Sequence, residues 1–166
     1  MIIIKKIGTE NISLVRELTF KIWPQTYSTI LSDDQINYML DMMYSNSALK
    51  KQINDGHQFI VVYDDQKPVA FASYSPKSAE DDRIFRLHKI YILPNQQGKG
   101  LGKKLIDYII ADIRGDGATT LELNVNRYNP AKTFYEKLGF SVAWEEDIDI
   151  GNGYYMNDYV MSKDIS

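Results

Sequence analysis

A glycine-rich turn between an apolar segment and an amphipathic one constrains this chain more than any other feature. Residues 90–93 are the apolar end of a predicted strand, and residues 98–114 repeat apolar side chains at helical spacing. The turn consists of Gln97, Gly98, Lys99, Gly100, Leu101 and Gly102. The first amides of a helix lack internal acceptors and lie at the positive end of the helix dipole. The turn therefore predicts an anion site.

The glycine spacing separates this turn from two other phosphate-binding loops. A Rossmann fingerprint places its third glycine one residue later and lies near the start of a βαβ unit, which is not the case here. A Walker loop needs Gly-Lys-Ser/Thr after four intervening residues, which the chain lacks. Two interpretations remain at this point. One is a tight turn without a ligand, and the other is a diphosphate site to which Lys99, Lys103 and Lys104 add positive charge.

A second motif lies in residues 129–140 and carries its own helix signals. Asn129 suits the N-cap, Pro130 the first helical position and Gly139 the left-handed position after the helix. The motif is Asn129-Pro130-Ala131-Lys132-Thr133-Phe134-Tyr135-Glu136-Lys137-Leu138-Gly139-Phe140.

The two motifs together resemble those of the GNAT superfamily of N-acetyltransferases. The turn matches the pattern Gln/Arg-x-x-Gly-x-Gly/Ala, and the second motif matches an Asn, then an Ala, then Tyr-x-x-x-Gly-Phe. The predicted element order, β-α-α-(α)-β-β-β-α-β-α-β-β, extends the resemblance over nearly the whole chain. It implies a single α/β domain, residues 1–166. The implied sheet is mixed and mostly antiparallel, has six to seven strands flanked by helices, and is splayed in the middle to hold acyl-CoA.

The resemblance also implies how acetyl-CoA, the expected co-substrate, is held. Backbone amides of the turn would bind the diphosphate, and main-chain groups of the preceding strand would pair with pantetheine. An amide near Ile90 would polarise the thioester carbonyl. Asn129 would cap its helix and also contact the cofactor arm. The implied cofactor residues are Ile90, Ile92, Gln97, Gly98, Lys99, Gly100, Leu101, Gly102, Lys103 and Asn129.

Tyr135 is the residue that we expect to act in the chemistry. Amine attack on acetyl-CoA expels a thiolate, and a phenol within reach of the sulfur can donate a proton to it. We expect Phe134 and Leu138 to form the apolar stripe of this helix and Tyr135 to lie on another face. The alternative interpretation is an aromatic core residue.

The base that takes a proton from the amine is harder to assign. Many GNAT proteins carry a carboxylate on the strand before the turn, but Arg86 falls near that place and cannot act as a base. His88 projects from the same face of a regular strand and has a suitable intrinsic pKa. We therefore name His88 as the candidate base, with a structural histidine or a water chain as the alternative.

The acceptor residues are predicted at the end of the first helix, residues 9–23. Pro24 is expected to end that helix, because proline disfavours a helical residue before it. In the GNAT family the connection after this helix lines the acceptor pocket. The resemblance therefore implies that Trp23 and Tyr27 contact the substrate. The segment resembles one in bacterial polyamine acetyltransferases, and aromatic and acidic side chains suit an aliphatic cation. The available carboxylates are Glu145, Glu146, Asp147, Asp149 and Asp158.

Composition excludes several other classes. Without cysteine, and with only His57 and His88, a disulfide scaffold, a thiolate nucleophile or a metal site is not expected. The formal net charge of -3 argues against a nucleic-acid partner. No membrane-spanning run and no signal peptide are seen, so we expect a cytoplasmic protein without a membrane partner. A homodimer is expected only by analogy with the resembling family.

Three functions stay open at this stage. The first is acetyl transfer to a small primary amine such as a polyamine, with a variant that acts on protein or peptide amines. The second is a non-catalytic acyl-CoA-binding module, against which the presence of Tyr135 argues. The third is a nucleotide-binding module, which would prefer ATP or NAD to coenzyme A.

Overall fold

The computed structural model describes all residues from Met1 to Ser166, and its elements follow the predicted order. The strands and helices are β1 (Ile2–Ile7), α1 (Ile12–Tyr27), α2 (Asp33–Tyr44), α3 (Asn46–Asn54), β2 (Gln58–Asp64), β3 (Lys67–Pro76), β4 (Ile84–Ile92), α4 (Leu101–Gly115), β5 (Thr120–Asn126), α5 (Ala131–Lys137), β6 (Ser141–Gly151) and β7 (Tyr154–Asp164). Short 3-10 turns occupy Thr9–Asn11 and Pro94–Gln96.

The strands form the mixed, mostly antiparallel sheet that the family resemblance implies. Their order is β1-β2-β3-β4-β5-β7-β6, which gives seven strands. The pairs β1–β2, β2–β3, β5–β7 and β6–β7 are antiparallel, whereas β4 and β5 are parallel. The parallel pairing joins Ile84–Leu87 of β4 to Thr120–Leu123 of β5. The splay expected in the middle of the sheet stays a prediction.

The chain divides into two compact units. The first contains Met1–Ser75 and Lys89–Asp107, and the second contains Pro76–His88 and Tyr108–Ser166. Strand β4 and helix α4 each contribute residues to both units. The assignment of residues 1–166 to one domain therefore stays a prediction.

The first unit is built from helices α1–α3 and strands β1–β3. A two-residue turn, Asp65-Gln66, joins β2 to β3, and both residues have positive φ angles, 48° and 72°. Such a turn matches the right-handed twist of a hairpin. Helix α2 begins as predicted, because the Ser32 hydroxyl accepts a hydrogen bond from the Gln35 amide at 3.1 Å.

Helix α1 corrects the prediction that Pro24 ends it. The helix continues to Tyr27, with Pro24 in its interior and exposed. Proline has no N–H to donate within the helix, but its carbonyl accepts from the Ser28 amide at 3.1 Å. The side chains on either side of Pro24, Trp23 and Tyr27, make ring contacts that favour the helical last turn. Trp23 and Tyr27 thus lie in α1 and not in the connection after it.

The second unit is built around β5, β7 and β6. Strand β5 alternates buried Leu121, Leu123 and Val125 with polar side chains, as the sequence predicts. Its neighbour β7 buries Val160 and Met161 completely. Strand β6 is at the edge of the sheet order and is mostly exposed.

Candidate functional site

The glycine-rich turn lies in the first unit and leads directly into helix α4. Gly98 and Gly100 have φ angles of +84° and +76°, which favour glycine over any residue with a β-carbon. The helix begins at Leu101, which is buried. The Gln97 side-chain amide donates to the Ile92 carbonyl at 3.3 Å, so it closes the turn onto the end of β4.

The turn has the space and the charge that a diphosphate needs. A β-carbon placed on Gly98 or Gly100 would meet no atom within 4 Å, so the backbone there is open to an approaching group. Helix α4 presents its unpaired first amides at this end. Lys99 and Lys103 are exposed beside them. Lys103 pairs with Asp107 at 2.7 Å across the helix surface, and such exposed pairs exchange readily for another anion.

The second half of β4 carries an unexpected buried charge. Burial alternates along the strand, with Phe85 and Leu87 buried and Arg86 and His88 half-buried. Lys89 occupies the next buried position of the strand after Leu87 and is only 6% exposed. Ile90 and Ile92, the predicted pantetheine residues, are half-buried. No function was predicted for Lys89 from the sequence, although a lysine at an apolar position of an alternating strand could have indicated one.

The Lys89 ammonium has aromatic surroundings and no acidic partner. Its Nζ lies 5.0 Å from the centre of the Tyr44 ring. Burial alone lowers the pKa of Lys89 to about 8, and no carboxylate offsets that effect. The nearby His57 has its pKa lowered, first by its own burial and then by the positive charge of Lys89.

Five rings of the first unit form an aromatic cluster. Its members are Trp23, Tyr27, Tyr44, Phe71 and Tyr91. The Tyr27 and Tyr91 hydroxyls share a hydrogen bond of 2.8 Å and are half-buried. Trp23 is only 1% exposed. The predicted acceptor residues Trp23 and Tyr27 therefore belong to one packed cluster, and their contact with a substrate stays a prediction.

Tyr44 is the most enclosed phenol of the aromatic cluster. It is fully buried, and burial raises its pKa well above the ordinary value for tyrosine. The Trp23 indole and the Tyr91 hydroxyl lie close enough to moderate that rise, but neither reaches the geometry of a hydrogen bond to the Tyr44 oxygen. No function was predicted for Tyr44, because it ends α2 like an ordinary core residue.

Helix α5 of the second unit corrects the predicted place of Tyr135. Tyr135 is the buried residue of the helix, at 7% exposure, whereas Phe134 and Leu138 are half-buried. Its ring packs against those of Phe134 and Phe140, with centres 5.3 and 5.9 Å away. The prediction that Phe134 and Leu138 form the apolar stripe of this helix was wrong. Tyr135 is the buried side chain instead, and the Phe140 ring packs against it. The catalytic role of Tyr135 stays a prediction.

Asn129 and His88 also belong to the second unit. The assigned α5 begins at Ala131, so Asn129 stands one place earlier than an N-cap. Its side-chain oxygen nevertheless accepts from the Ala131 amide at 2.9 Å, which satisfies a free donor of the helix start. His88 is half-buried and alternates with Leu87 and Lys89 as expected.

Buried charges of the second unit are held by polar partners. Arg86 donates to the Asn124 side-chain oxygen, and the Asn124 amide donates to Asp158 at 3.2 Å. Burial raises the pKa of Asp158, and the Asn124 hydrogen bond opposes that effect. Lys77 pairs with the buried Glu122 at 2.8 Å. Arg127 lies within 4.0 Å of Glu145 and also pairs with Asp147, so two of the predicted acceptor carboxylates already face a cation.

The predicted site residues thus fall into two sets. His88, Asn129, Tyr135 and the five predicted acceptor carboxylates belong to the second unit, and the others belong to the first. No group of three or more histidine, aspartate and glutamate side chains is placed to hold a metal ion. None of the helices combines the length and apolar character that crossing a membrane requires.

Comparisons with known proteins agree with these features. The family model described as an acetyltransferase (GNAT) domain matches residues 55–142, which include the glycine-rich turn and the Asn129–Phe140 motif. A spermidine N(1)-acetyltransferase of Thermoplasma acidophilum is 26% identical over 166 aligned residues, covering 96% of this chain and 95% of its own. A ribosomal protein bS18-alanine N-acetyltransferase of Haemophilus influenzae is 41% identical over 69 residues, 42% of this chain and 44% of its own.

A solved structure is similar over the full length. The PaiA N-acetyltransferase of Thermoplasma acidophilum, determined in complex with coenzyme A, superposes with a TM-score of 0.82. It is 25% identical in sequence, and the match covers 99% of both chains. Because the family model spans more than half of the chain and includes both motifs, the chain belongs to the GNAT family of acetyltransferases.

Proposed function

We propose that this acetyltransferase moves the acetyl group of acetyl-CoA to the primary amine of a small molecule, with polyamines as the first candidate class. The observation that carries the proposal is the open glycine-rich turn at the start of α4. Its positive φ angles and unobstructed backbone suit a diphosphate. The coenzyme A bound to the similar PaiA structure supports the same donor.

Different residues would bind the cofactor and act in the acetyl transfer. The amides of the turn and Lys103 would hold the diphosphate, and the main chain at Ile90 and Ile92 would orient the pantetheine arm. Acetyl-CoA supplies an activated acyl group on sulfur. Tyr135 would donate a proton to the leaving sulfur, for which its hydroxyl is suited because an ordinary phenol stays protonated at neutral pH.

A glycine pair tests the donor site. Gly100→Ala and Gly117→Ala place the same side chain at φ angles of +76° and +88°, and neither new β-carbon would meet an atom within 4 Å. We expect a similar loss of stability in both variants because both positions favour glycine. Only Gly100→Ala should weaken coenzyme A binding, by about tenfold or more, in calorimetric titration. If the two variants bind coenzyme A equally well, the diphosphate does not bind at the glycine-rich turn.

Tyr135→Phe tests the proposed acid. The change keeps the ring that packs against Phe134 and Phe140, so we expect folding and coenzyme A affinity to be retained. The turnover number should fall by about 100-fold, the range that one proton donor contributes. A protein that binds coenzyme A but shows no turnover before or after the change would instead be a binding module.

The acceptor class rests on different observations. The aromatic cluster and the acidic strand β6 suit an aliphatic cation, and a relative similar over nearly its full length acts on spermidine. The alternative is a protein amine, which the shorter match to a ribosomal-protein acetyltransferase supports. Release of the coenzyme A thiol can be followed with spermidine, n-butylamine and a peptide beginning with alanine. We expect the fastest turnover with spermidine, and turnover of the peptide alone would favour the alternative.

Two further parts of the proposal come from the sequence and the family resemblance. We propose a cytoplasmic location, which fractionation of cells would test. We also propose a homodimer, because GNAT proteins often pair through their last strands, and β6 is at the edge of the sheet order. Light scattering during gel filtration separates a dimer from the 19.1 kDa monomer.

A further inference from the structure

Lys89 is a buried cation that the described chemistry does not use. Its side chain is on β4, one residue before Ile90 and eight before the glycine-rich turn begins at Gln97. It is 6% exposed, and its ammonium faces the Tyr44 ring at 5.0 Å. A lysine that is buried without an acidic partner is costly to the fold, so its presence calls for an explanation.

The surroundings of Lys89 favour its neutral amine. The other titratable groups of the aromatic cluster are the phenols of Tyr27, Tyr44 and Tyr91, which ordinarily carry no charge at neutral pH. His57 is a titratable neighbour whose pKa is lowered, first by burial and then by the positive charge of Lys89. None of these groups supplies a negative charge at pH 7 that would hold the ammonium.

The burial has a chemical consequence at neutral pH. With its pKa lowered to about 8, roughly a tenth of Lys89 is neutral at pH 7, against fewer than about one in a thousand for an ordinary lysine. A buried lysine of this kind has a free electron pair and can accept a proton.

We propose that Lys89 is the base that removes a proton from the acceptor amine, an inference that rests on the proposed acetyl transfer. It occupies the strand on which the base is expected, on the face opposite to Arg86 and to the first candidate, His88. It is also adjacent in sequence to Ile90, whose amide is the proposed partner of the thioester carbonyl. Its ammonium faces Tyr44 of the aromatic cluster, in which Tyr27 and Tyr91, whose hydroxyls share a hydrogen bond, are the half-buried members.

The proposed step balances protons and electrons. The neutral Lys89 nitrogen takes one proton from the acceptor ammonium, which gives the acceptor nitrogen a free electron pair. That nitrogen attacks the thioester carbon, so a C–N bond forms and the C–S bond breaks with its electron pair on sulfur. The attacking nitrogen then loses its second proton to water, Tyr135 gives its proton to sulfur, and the Tyr135 phenolate takes a proton back from water. The products are the amide and the coenzyme A thiol, and Lys89 returns its proton to water.

Two substitutions separate a base from a fixed positive charge. Lys89→Met keeps an unbranched buried chain without a titratable group, and Lys89→Arg keeps the charge but cannot lose its proton. Lys50→Met, at an exposed position of α3, is the matched control. We expect kcat/KM at pH 7.5, with the fastest acceptor of the panel above, to fall by about 100-fold in both Lys89 variants and to be unchanged in the control.

The pH profile of kcat/KM gives a readout that a structural role would not change. The wild-type profile should rise with a midpoint near the Lys89 pKa of about 8, and that limb should disappear in both variants. A Lys89→Arg protein within a few fold of wild type would show that Lys89 acts as a charge, for example toward a carboxylate of the acceptor. A large loss in His88→Asn with little loss in Lys89→Met would return the role to His88. If the wild type turns over no amine of the panel, the proposed function fails and the inference fails with it.

A measurement on the unaltered protein covers the case in which a variant does not fold. Lysine labelled with ¹³C at the ε position allows each lysine to be titrated by NMR. We expect one resonance to titrate with a midpoint near 8. The inference is overturned if every lysine titrates near the ordinary value of about 10.4.

Discussion

The two units of the molecule bury charge in opposite ways. In the second unit, Asn124 joins Arg86 to Asp158, and Lys77 pairs with Glu122. In the first unit, Lys89 is as deeply buried as Asp158, at 6% against 3% exposure, but its ammonium faces an aromatic ring instead of an acid. A buried charge with complementary partners needs no explanation beyond the structure of the fold. A buried charge without them indicates a functional role.

The pKa values of the two groups reflect the same contrast. The pKa of Asp158 is raised, mainly by burial and further by the charge of Glu146, and the Asn124 hydrogen bond and two nearby arginines oppose part of that rise. Burial lowers the pKa of Lys89 to about 8, and nothing opposes it. Exposure alone therefore does not identify a functional group, since Asp158 and Lys89 are both buried and only Lys89 lacks an electrostatic partner.

The largest expected effect on stability is a gain from Lys89→Met. The folded pKa of Lys89 is about 8 and its ordinary value is 10.5, so the unfolded chain binds more protons between these values. The folded protein therefore carries the full penalty below pH 8 and loses it as the pH rises toward 10.5. Removing the amine should raise the free energy of unfolding by up to about 3 kcal/mol at pH 7 and by little at pH 10.5. Urea unfolding at both pH values measures this.

Lys50→Met serves again as the control in those unfolding experiments. A Lys89→Met protein that is less stable than wild type at pH 7 would contradict the comparison. It would mean that the ring contact with Tyr44 stabilises the ammonium by more than its burial costs.

An intermediate effect is expected in the second unit, from Asn124→Ala. This change removes the group that both accepts from Arg86 and donates to Asp158. We expect the free energy of unfolding to fall by about 1–3 kcal/mol, since buried polar groups lose their partners. The pKa of Asp158 should also rise further, which NMR of the labelled carboxyl carbon would detect. A loss no larger than about 0.5 kcal/mol would show that this network stabilises the fold no more than an ordinary surface contact does.

The smallest expected effect is on the pKa of His57. The positive charge of Lys89 helps to lower the pKa of His57, so Lys89→Met should raise that pKa toward 6.5 and Lys89→Arg should leave it low. Because the folded pKa is depressed, His57 lowers stability as the pH falls below 6.5, and Lys89→Met should lessen that loss. Proton NMR of the imidazole gives the pKa, with a His57→Asn variant to assign the signal. Equal values in the three proteins would mean that the two charges do not interact.

Local chemistry made several parts of the fold predictable. The element order, the start of α2 at Ser32 and the turn at Gly98 and Gly100 depend on caps, periodicity and positive φ angles, which neighbouring residues determine. The Asn129 side chain likewise bonds to the helix start, although the assigned helix begins one residue later than expected.

The features that were missed depend on contacts between distant residues. Pro24 was expected to end α1, but ring contacts of Trp23 with Tyr27 and Tyr91 accompany a further turn. Tyr135 was expected away from the apolar face of its helix, but the ring of Phe140 lies beside it. Propensity and periodicity contain no information on such tertiary partners.

The candidate site shows the same division. The glycine-rich turn follows from the sequence because its backbone geometry is local. The burial of Lys89 does not follow from the sequence, because the spacing of residues does not show whether the ammonium is removed from water. His88 and Lys89 are neighbours in sequence, yet only the alternation of burial along β4 distinguishes them.

The contrast in exposure between Trp23 and Trp144 gives each unit its own fluorophore. The chain has two tryptophans, and Trp23 is 1% exposed in the first unit whereas Trp144 is 41% exposed on β6 of the second. Iodide should quench the red-shifted emission of Trp144 and leave the blue-shifted emission of Trp23. A single unmodified sample can thus report separately, by wavelength, on events at the aromatic cluster and at the edge strand.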